Sequence, residues 1–586
     1  MWYRSLIAGI CCMTSYTVSA ESITLRIMAT SDVHGHFTGY NYFTRERESK
    51  GLVHTAALID QQRASADISL LIENGDLIQG SPFTDYMVAA ATSETQLPLA
   101  ELLNRMQYDA VNLGNHEFNY GLEYLSRAYS GVSAPILSAN LTATSEFAKQ
   151  HLNHQPFVVI PRTVSTSVDD TAQAFTVNIG LVGVLPPQIM QWDAHHLRNH
   201  VNVESMVAAA QRAVEGARQA GADVVILVAH TGMPKQTSNG QDSEQGVWGL
   251  AQLDGIDAII FGHQHEIFPG TDSYDLLAHV NSEKGTIFGI PAVQPGLHGE
   301  YLGVIDFVFH YAAAEKRWVV KSKSASVKPV TAERDGELTA QLEPAHRATL
   351  AFMQQAIGQT QAPLSQEYAR LEPTLAMQFI HDAQLWYIER YAHTNAELAW
   401  TNLPRLSAVA PFHAAINEAT SANGAYTAIE AGPVTLGDIG DLYRYPNTLD
   451  VVVVSGANLK QWLEQSAKAL QSGNQDDPWS WLDSEIPSYQ FDTFSGINYR
   501  IDPTQPIGKR VQTIPALNDE QQYAVVTNNY RANGGGDFAG LNGKQIVYSS
   551  PDQIQHILIE YMRWLGEEGY TATLNKNWEI EKQERY

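Results

Sequence analysis

The sequence predicts an α/β protein made of a layered domain, in which strands alternate with helices, and a second mixed α/β domain behind it. Three observations carry this reading. Short apolar runs recur through the first half, each ending in a polar loop that contains glycine or histidine. Stretches of helical length separate them. The alternation resumes after an Ala-, Glu- and Gln-rich break between Thr331 and Ala362.

The elements follow in chain order. Residues 1–20 read as a signal peptide: Arg4 is the positive start, residues 6–12 the apolar centre, and Val18-Ser19-Ala20 the small-residue cleavage signal before Glu21. Both cysteines, Cys11 and Cys12, leave with it, so the mature chain is expected to carry no disulfide, as suits a bacterial envelope protein stabilised by its core; the periplasm is the expected location. Residues 21–330 form the first domain. Its strand candidates are residues 25–30, 69–72, 111–113, 177–184, 224–228 and 256–261, and its helix candidates are residues 55–64, 97–105 and 205–220, the last stopped by Gly221. Residues 331–362 read as a helical connector, with Leu342, Leu350, Phe352 and Met353 at loosely helical spacing. Residues 363–586 form the second domain, with strand runs at 451–454 and 523–527.

Composition narrows the function. The chain has 586 residues, 44% of them hydrophobic, and a formal net charge of -26. That charge argues against a nucleic-acid polymer or an anionic membrane surface as partner, but not against a small phosphorylated substrate, which a local cation can attract. No segment after the signal peptide has the roughly twenty uninterrupted apolar residues of a membrane span. A monomer is expected.

Chemistry concentrates where the strand runs end. Residues 25–30 lead into Ser31-Asp32-Val33-His34, residues 69–72 into Glu73-Asn74-Gly75-Asp76, and residues 111–113 into Gly114-Asn115-His116-Glu117. Residues 224–228 lead into Ala229-His230, and residues 256–261 into Gly262-His263-Gln264-His265. Aspartate, asparagine and histidine at the carboxyl ends of strands are the donors that a pair of divalent ions requires, and open α/β sheets place their sites there. His36, His54, His195 and His196 lack this context and read as solvated or hydrogen-bonded loop histidines.

These motifs resemble the calcineurin-like metallophosphoesterases, and among them the secreted bacterial nucleotidases of the 5′-nucleotidase group. The resemblance implies a four-layer sandwich and two divalent ions, zinc, manganese or similar. One would be held by Asp32, His34, Asp76 and His265, the other by Asp76, Asn115, His230 and His263, with Asp76 as the bridge. It also implies that His116 stabilises the transferring phosphoryl group or the leaving oxygen. In the 5′-nucleotidase branch an aspartate stands three residues after that histidine; here it is Asn119, which can position the ring but stabilises its cation less.

Longer stretches resemble a narrower group, the periplasmic 2′,3′-cyclic-nucleotide 2′-phosphodiesterase/3′-nucleotidases. They are residues 76–82, 114–121 and 186–190 of the first domain and residues 441–449, 496–502 and 528–532 of the second. The resemblance implies hydrolysis of a 2′,3′-cyclic nucleotide to the 3′-nucleotide and then to nucleoside and phosphate, with Tyr445 and Tyr530 sandwiching the base and Asn447 within reach of base or ribose. Closure between the domains is expected to accompany it. After Pro411-Phe412 the chain departs from the group's basic, glycine-containing stretch, which leaves Arg405, Arg444 and Arg531 as alternative phosphate contacts. The rival functions are a 5′-nucleotidase or UDP-sugar hydrolase and, in another class, a non-catalytic nucleotide-binding envelope protein.

Overall fold

A computed structural model describes residues 22–581 apart from 92–96, 169–170, 235–243, 271–273, 275–276, 313, 316, 397, 446, 475 and 537. The signal-peptide segment, with Cys11 and Cys12, lies outside the described residues. The chain divides into two compact units, one of residues 1–39 and 48–345, the other of residues 40–47 and 346–586.

In the first unit two sheets lie face to face. The first has the strand order Arg317–Pro329, Tyr301–Ala312, Ser22–Thr30, Ile68–Glu73, Ala110–Asn112, Ile136–Leu137. Ser22–Thr30 runs parallel to Ile68–Glu73, which runs parallel to Ala110–Asn112. In the second sheet Thr171–Val184, Val224–Ala229, Ala258–Phe261 and Ile290–Pro295 are parallel neighbours, in that order. Period-2 alternation decides what each face buries. Leu25, Ile27, Leu70 and Ile72 of the first sheet pack against Ile179, Leu181, Ile226, Val228 and Ile260 of the second. The opposite face of the second sheet, with Val225, Leu227 and Ile259, is covered by Ala210, Ala213, Val214 and Ala217 of the helix Met206–Gln219. Ser205 caps that helix by accepting the Ala208 N–H. Both faces of Val224–Ala229 are therefore buried, which is why it is apolar throughout.

The second unit is built on a five-stranded sheet in the order Thr493–Ser495, Arg405–Val409, Gln522–Asn528, Thr448–Ser455, Ile546–Gln553. Leu406, Val452, Val454 and Val525 meet Leu459, Trp462 and Leu463 of the helix Gly456–Ser466 in its core.

The connector expected at residues 331–362 is not one element. The helix Gly336–Phe352 contains the boundary between the units, and Ala356–Thr360 is a strand paired with Gly432–Thr435. Helical spacing cannot reveal a strand whose partner lies some 75 residues away. Residues 40–47, expected in the first domain, belong to the second unit: the Tyr42 hydroxyl bonds His346 Nδ1 at 2.9 Å, the Tyr40 ring meets His346 edge-on, and Phe43 fills the space left by Gly440. Among the described residues no helix is long and apolar enough to cross a membrane.

Candidate metal centre

The carboxyl ends of three strands of the first sheet and two of the second converge, and each delivers the side chains its loop offers. Asp32 follows Ser22–Thr30, Asp76 follows Ile68–Glu73, Asn115 and His116 follow Ala110–Asn112, His230 follows Val224–Ala229, and His263 and His265 follow Ala258–Phe261. Two clusters of possible metal ligands result, Asp32 with His34 and His265, and Asp76 with His230 and His263. Within each, the ligand atoms lie within 4.8 Å of one another.

The backbone is strained to make this happen. Asp32, His34, Asp76, His263 and His265 have φ of 53°, 49°, 58°, 75° and 63°, the left-handed region that side chains with a Cβ seldom enter. Each such residue costs on the order of 1–3 kcal/mol and persists only where the surroundings over-determine it. Glycine supplies the remaining room: a β-carbon at Gly114 would collide with Asp76 Oδ1 and His230, and one at Gly262 with Ser31 and Asp32.

Hydrogen bonds aim the ligand atoms. His230 Nδ1 donates to the Asn74 carbonyl at 2.7 Å and His34 Nδ1 to the Gln79 carbonyl at 3.0 Å. Their Nε2 lone pairs are thereby turned inward. His34 Nε2 faces His265 Nε2 at 3.1 Å and lies 3.9 Å from Asp76 Oδ2. His230 Nε2 lies 2.9 Å from Asp76 Oδ2 and 3.9 Å from Asp32 Oδ1. Asn115 Oδ1 stands 3.1 Å from His230 Nε2 and 2.9 Å from His263 Nδ1. Asp76 Oδ2 is buried and takes no hydrogen bond of good geometry. Acceptor thus faces acceptor in a largely buried site, an arrangement that positive charge satisfies, so these residues fit divalent metal ions.

Titration in the absence of metal expresses the same frustration. Burial raises Asp32 to about 7, against the opposing pull of His230. Burial also opposes the charge on Asp76, but His230, His116 and His34 hold it ionised well below the usual range. Burial disfavours the His230 cation, yet Asp76, Asp32 and Glu117 carry it up to about 10, a measure of how strongly the cluster attracts positive charge. Burial takes His263 and His265 down to about 3, leaving both neutral and ready to ligate.

His116 lies beside the clusters. It is 2% exposed, its backbone N–H donates to Asp76 Oδ1 at 2.8 Å, and its ring meets His34 edge-on at 5.2 Å. Its Nδ1 bonds Asn119 Oδ1 at 2.6 Å. Of the other histidines, His54 is buried and bonds the carbonyls of Thr331 and Glu333, while His36 stacks on His298 with centroids 3.4 Å apart. His196 bonds the Asn119 carbonyl; the His195 side chain is outside the described residues.

Two carboxylates that sequence reasoning did not single out hold the loops in place. Glu117, fully buried, accepts the N–H groups of Asp76 and Leu77 at 2.8 Å and of Gly114 at 2.7 Å, joining two ligand-bearing loops through one side chain. Glu73, at the last position of its strand, bonds Thr30 Oγ1, which also meets the Tyr108 hydroxyl. Both stand in the strand-end motifs, but only the folded contacts show what they do.

In the second unit the strands Thr448–Ser455 and Gln522–Asn528 pair with Leu449 opposite Asn528, so Tyr445 and Tyr530 lie at the same end of that pair. Both rings are 48% exposed, Tyr445 backed edge-on by Phe412 and Tyr530 by Tyr489. Asn447 is half-buried beside the Tyr443 hydroxyl, and its carbonyl accepts the Ile554 N–H. Of the arginines expected as phosphate contacts, Arg531 is taken up structurally: it is buried, paired with Asp492 and stacked over Phe538.

With this geometry in view, comparison with known proteins places the chain. Residues 25–266 match the calcineurin-like phosphoesterases and residues 356–543 match the 5′-nucleotidase C-terminal domain. The chain belongs to the calcineurin-like phosphoesterases, in the branch that carries a 5′-nucleotidase C-terminal domain. It is 34% identical, over 96% of its length and 90% of the relative, to the 2′,3′-cyclic-nucleotide 2′-phosphodiesterase/3′-nucleotidase of Salmonella typhimurium. It is 35% identical to the trifunctional nucleotide phosphoesterase YfkN of Bacillus subtilis, of whose length it spans 39%. The NAD nucleotidase of Haemophilus influenzae shares the fold, with a TM-score of 0.63 at 18% identity over 96% of this chain and all of that one.

Glu73 makes a pH-dependent prediction. Burial pushes its carboxyl up to about 8, above the usual value near 4.5. The folded state therefore holds a proton that the unfolded state releases, and stability falls as pH rises from about 5 towards 8. In chelator-treated protein, Glu73→Gln, which keeps the Thr30 partner without the ionisation, should flatten that decline in the urea midpoint measured from pH 5 to 8.

Proposed function

We propose that this chain is a metal-dependent phosphohydrolase that opens 2′,3′-cyclic nucleotides to 3′-nucleotides and then releases phosphate and nucleoside. The two ligand clusters gathered at the strand ends, with Asp76 of one lying 3.9 Å from His34 of the other, carry the catalytic part of this reading. Likeness to the Salmonella relative over nearly the whole chain, with Asn119 in place of an aspartate, supports the choice of substrate.

Asp32, His34, Asp76 and His265 would hold one ion, and Asp76, Asn115, His230 and His263 the other. Asp76 Oδ2, 2.9 Å from His230 Nε2 and 3.9 Å from His34 Nε2, has the position of a shared ligand. When bound, such ions polarise phosphoryl oxygens and activate water for in-line displacement. His116 supplies a polar group beside them that neutralises charge developing on the phosphoryl and leaving oxygens. Burial of the cluster strengthens each of these interactions by excluding water. The tyrosines of the second unit supply base recognition through their π faces, which accept any base. The chain is proposed to act as a monomer.

Phosphate release from 2′,3′-cyclic AMP, 3′-AMP and 5′-AMP, with added zinc or manganese, tests the reading. Turnover of the first two with little of the third is expected; turnover of 5′-AMP alone would assign the chain to the 5′-nucleotidases instead. Asp76→Asn should lower kcat by more than the roughly 100-fold that loss of an outer hydrogen-bond partner costs a metal site. Metal analysis should fall from near two equivalents per chain in the parent.

Tyr445→Ala and Tyr530→Ala should each weaken substrate binding by about 1–3 kcal/mol, read as a rise in KM with kcat little changed. A shift in kcat alone would remove these residues from base recognition.

We further propose export to the periplasm with cleavage after Ala20, on the strength of the Arg4, apolar and Val18-Ser19-Ala20 pattern. Intact-mass measurement of protein recovered from a bacterial periplasm should show Glu21 as the first residue; a retained Met1 would contradict it.

A further inference from the structure

We propose that Asp193 is the positioning residue of this site: it sets the direction of a hydrogen-bond chain through Asn119 and so determines which nitrogen of His116 carries a proton. The inference deepens the reading above and rests on it for the role of His116 and the identity of the substrate.

The chain of bonds has one allowed polarity. Asp193 is 2% exposed, and Asn119 Nδ2 donates to its Oδ1 at 3.1 Å and its Oδ2 at 3.3 Å. A carboxylate only accepts, so the amide nitrogen of Asn119 must face it and the amide oxygen must face the other way. That oxygen lies 2.6 Å from His116 Nδ1. A carbonyl oxygen also only accepts, so Nδ1 carries the proton of the neutral ring, and Nε2, the nitrogen remote from Asn119, is left to take up the second proton with which the ring meets charge on the phosphoryl and leaving oxygens. Without Asp193, the Asn119 amide could turn over and present a donor to the ring, reversing the tautomer.

The segment carrying Asp193 is built to hold Asn119 rigidly. After the strand Thr171–Val184 and Pro186-Pro187, the turn Ile189–Trp192 buries Ile189, and the Asp193 N–H donates to the Ile189 carbonyl at 2.9 Å. The Asp193 carbonyl receives the N–H groups of His196 at 2.9 Å and Leu197 at 3.0 Å. His196 Nε2 in turn bonds the Asn119 carbonyl at 3.1 Å. One short segment therefore grips Asn119 at its side chain and at its main chain. The negative charge that a direct aspartate would place against His116 is kept, moved one residue outward.

The test exchanges the two groups. Asp193→Ala should lower kcat by about 10–100-fold, the usual cost of an orienting partner, with KM and metal content unchanged. Asn119→Asp alone should also lower kcat, because two carboxylates would meet where the amide nitrogen now donates. The double variant Asn119→Asp/Asp193→Asn restores donor and acceptor at every step and should recover most of the parent activity. A double variant no better than the worse single one would overturn the inference. A readout independent of turnover is the tautomer itself, from ring-15N-labelled histidine NMR of the zinc-supplied full chain, with His116 assigned by His116→Asn. The parent should show a protonated Nδ1, and Asp193→Ala a mixture of tautomers. An unchanged tautomer in Asp193→Ala overturns the inference whatever the substrate; a parent inactive on every nucleotide but with the expected tautomer change refutes only the substrate reading.

Discussion

The structure of the first unit is governed by a cluster of acceptor atoms that repel one another. Asp32, Asp76, Asn115 and the inward nitrogens of His34, His230 and His265 are brought to within a few ångströms in a site nearly closed to water. Oxygen and nitrogen lone pairs so placed have no partner among themselves, and a buried acceptor without a partner costs on the order of 1–3 kcal/mol. Positive charge resolves the conflict. In this family divalent metals supply it; without them, His230 holds a proton that its burial would otherwise expel.

Such an arrangement would relax outward unless the scaffold resisted. The resistance comes from two packed sheets whose strands end together, and from hydrogen bonds that tie loop to loop. Glu117 holds the Asp76 and Gly114 loops by three backbone N–H groups, Asn74 spans from Ser31 to Ala229, and the His263 N–H donates to Asp32. These bonds also keep five ligand residues in the left-handed backbone region. Charge repulsion, backbone strain and cross-linking are parts of one device, in which the scaffold stores the cost of a site that is ready before any ion arrives.

The second unit solves a different problem. Its tyrosines stand at the end of a strand pair with their rings half exposed, stiffened from behind by Phe412 and Tyr489. A ring held in place by edge-on packing loses little entropy on stacking, which suits the base recognition proposed for these tyrosines. Arg531, by contrast, is spent on the core through Asp492, so its charge is unavailable to a ligand.

Much of this was legible in the sequence because parallel strands buried on both faces read as unbroken apolar runs, and the residues that follow them come together in the candidate metal centre. Asp32, His34, Asp76, Asn115, His116, His230, His263 and His265 could be picked out by that position alone, and the alternation of strand and helix predicted the layered fold. What could not be read depended on partners distant in the chain. Tyr42 reaches His346, Ala356–Thr360 becomes a strand only against Gly432–Thr435, and Asn119 acquires its meaning from Asp193, 74 residues further on. Sequence specifies which donors and acceptors exist and the local backbone that presents them. Only the tertiary structure decides which of them face one another, because a hydrogen bond's direction is a property of the pair.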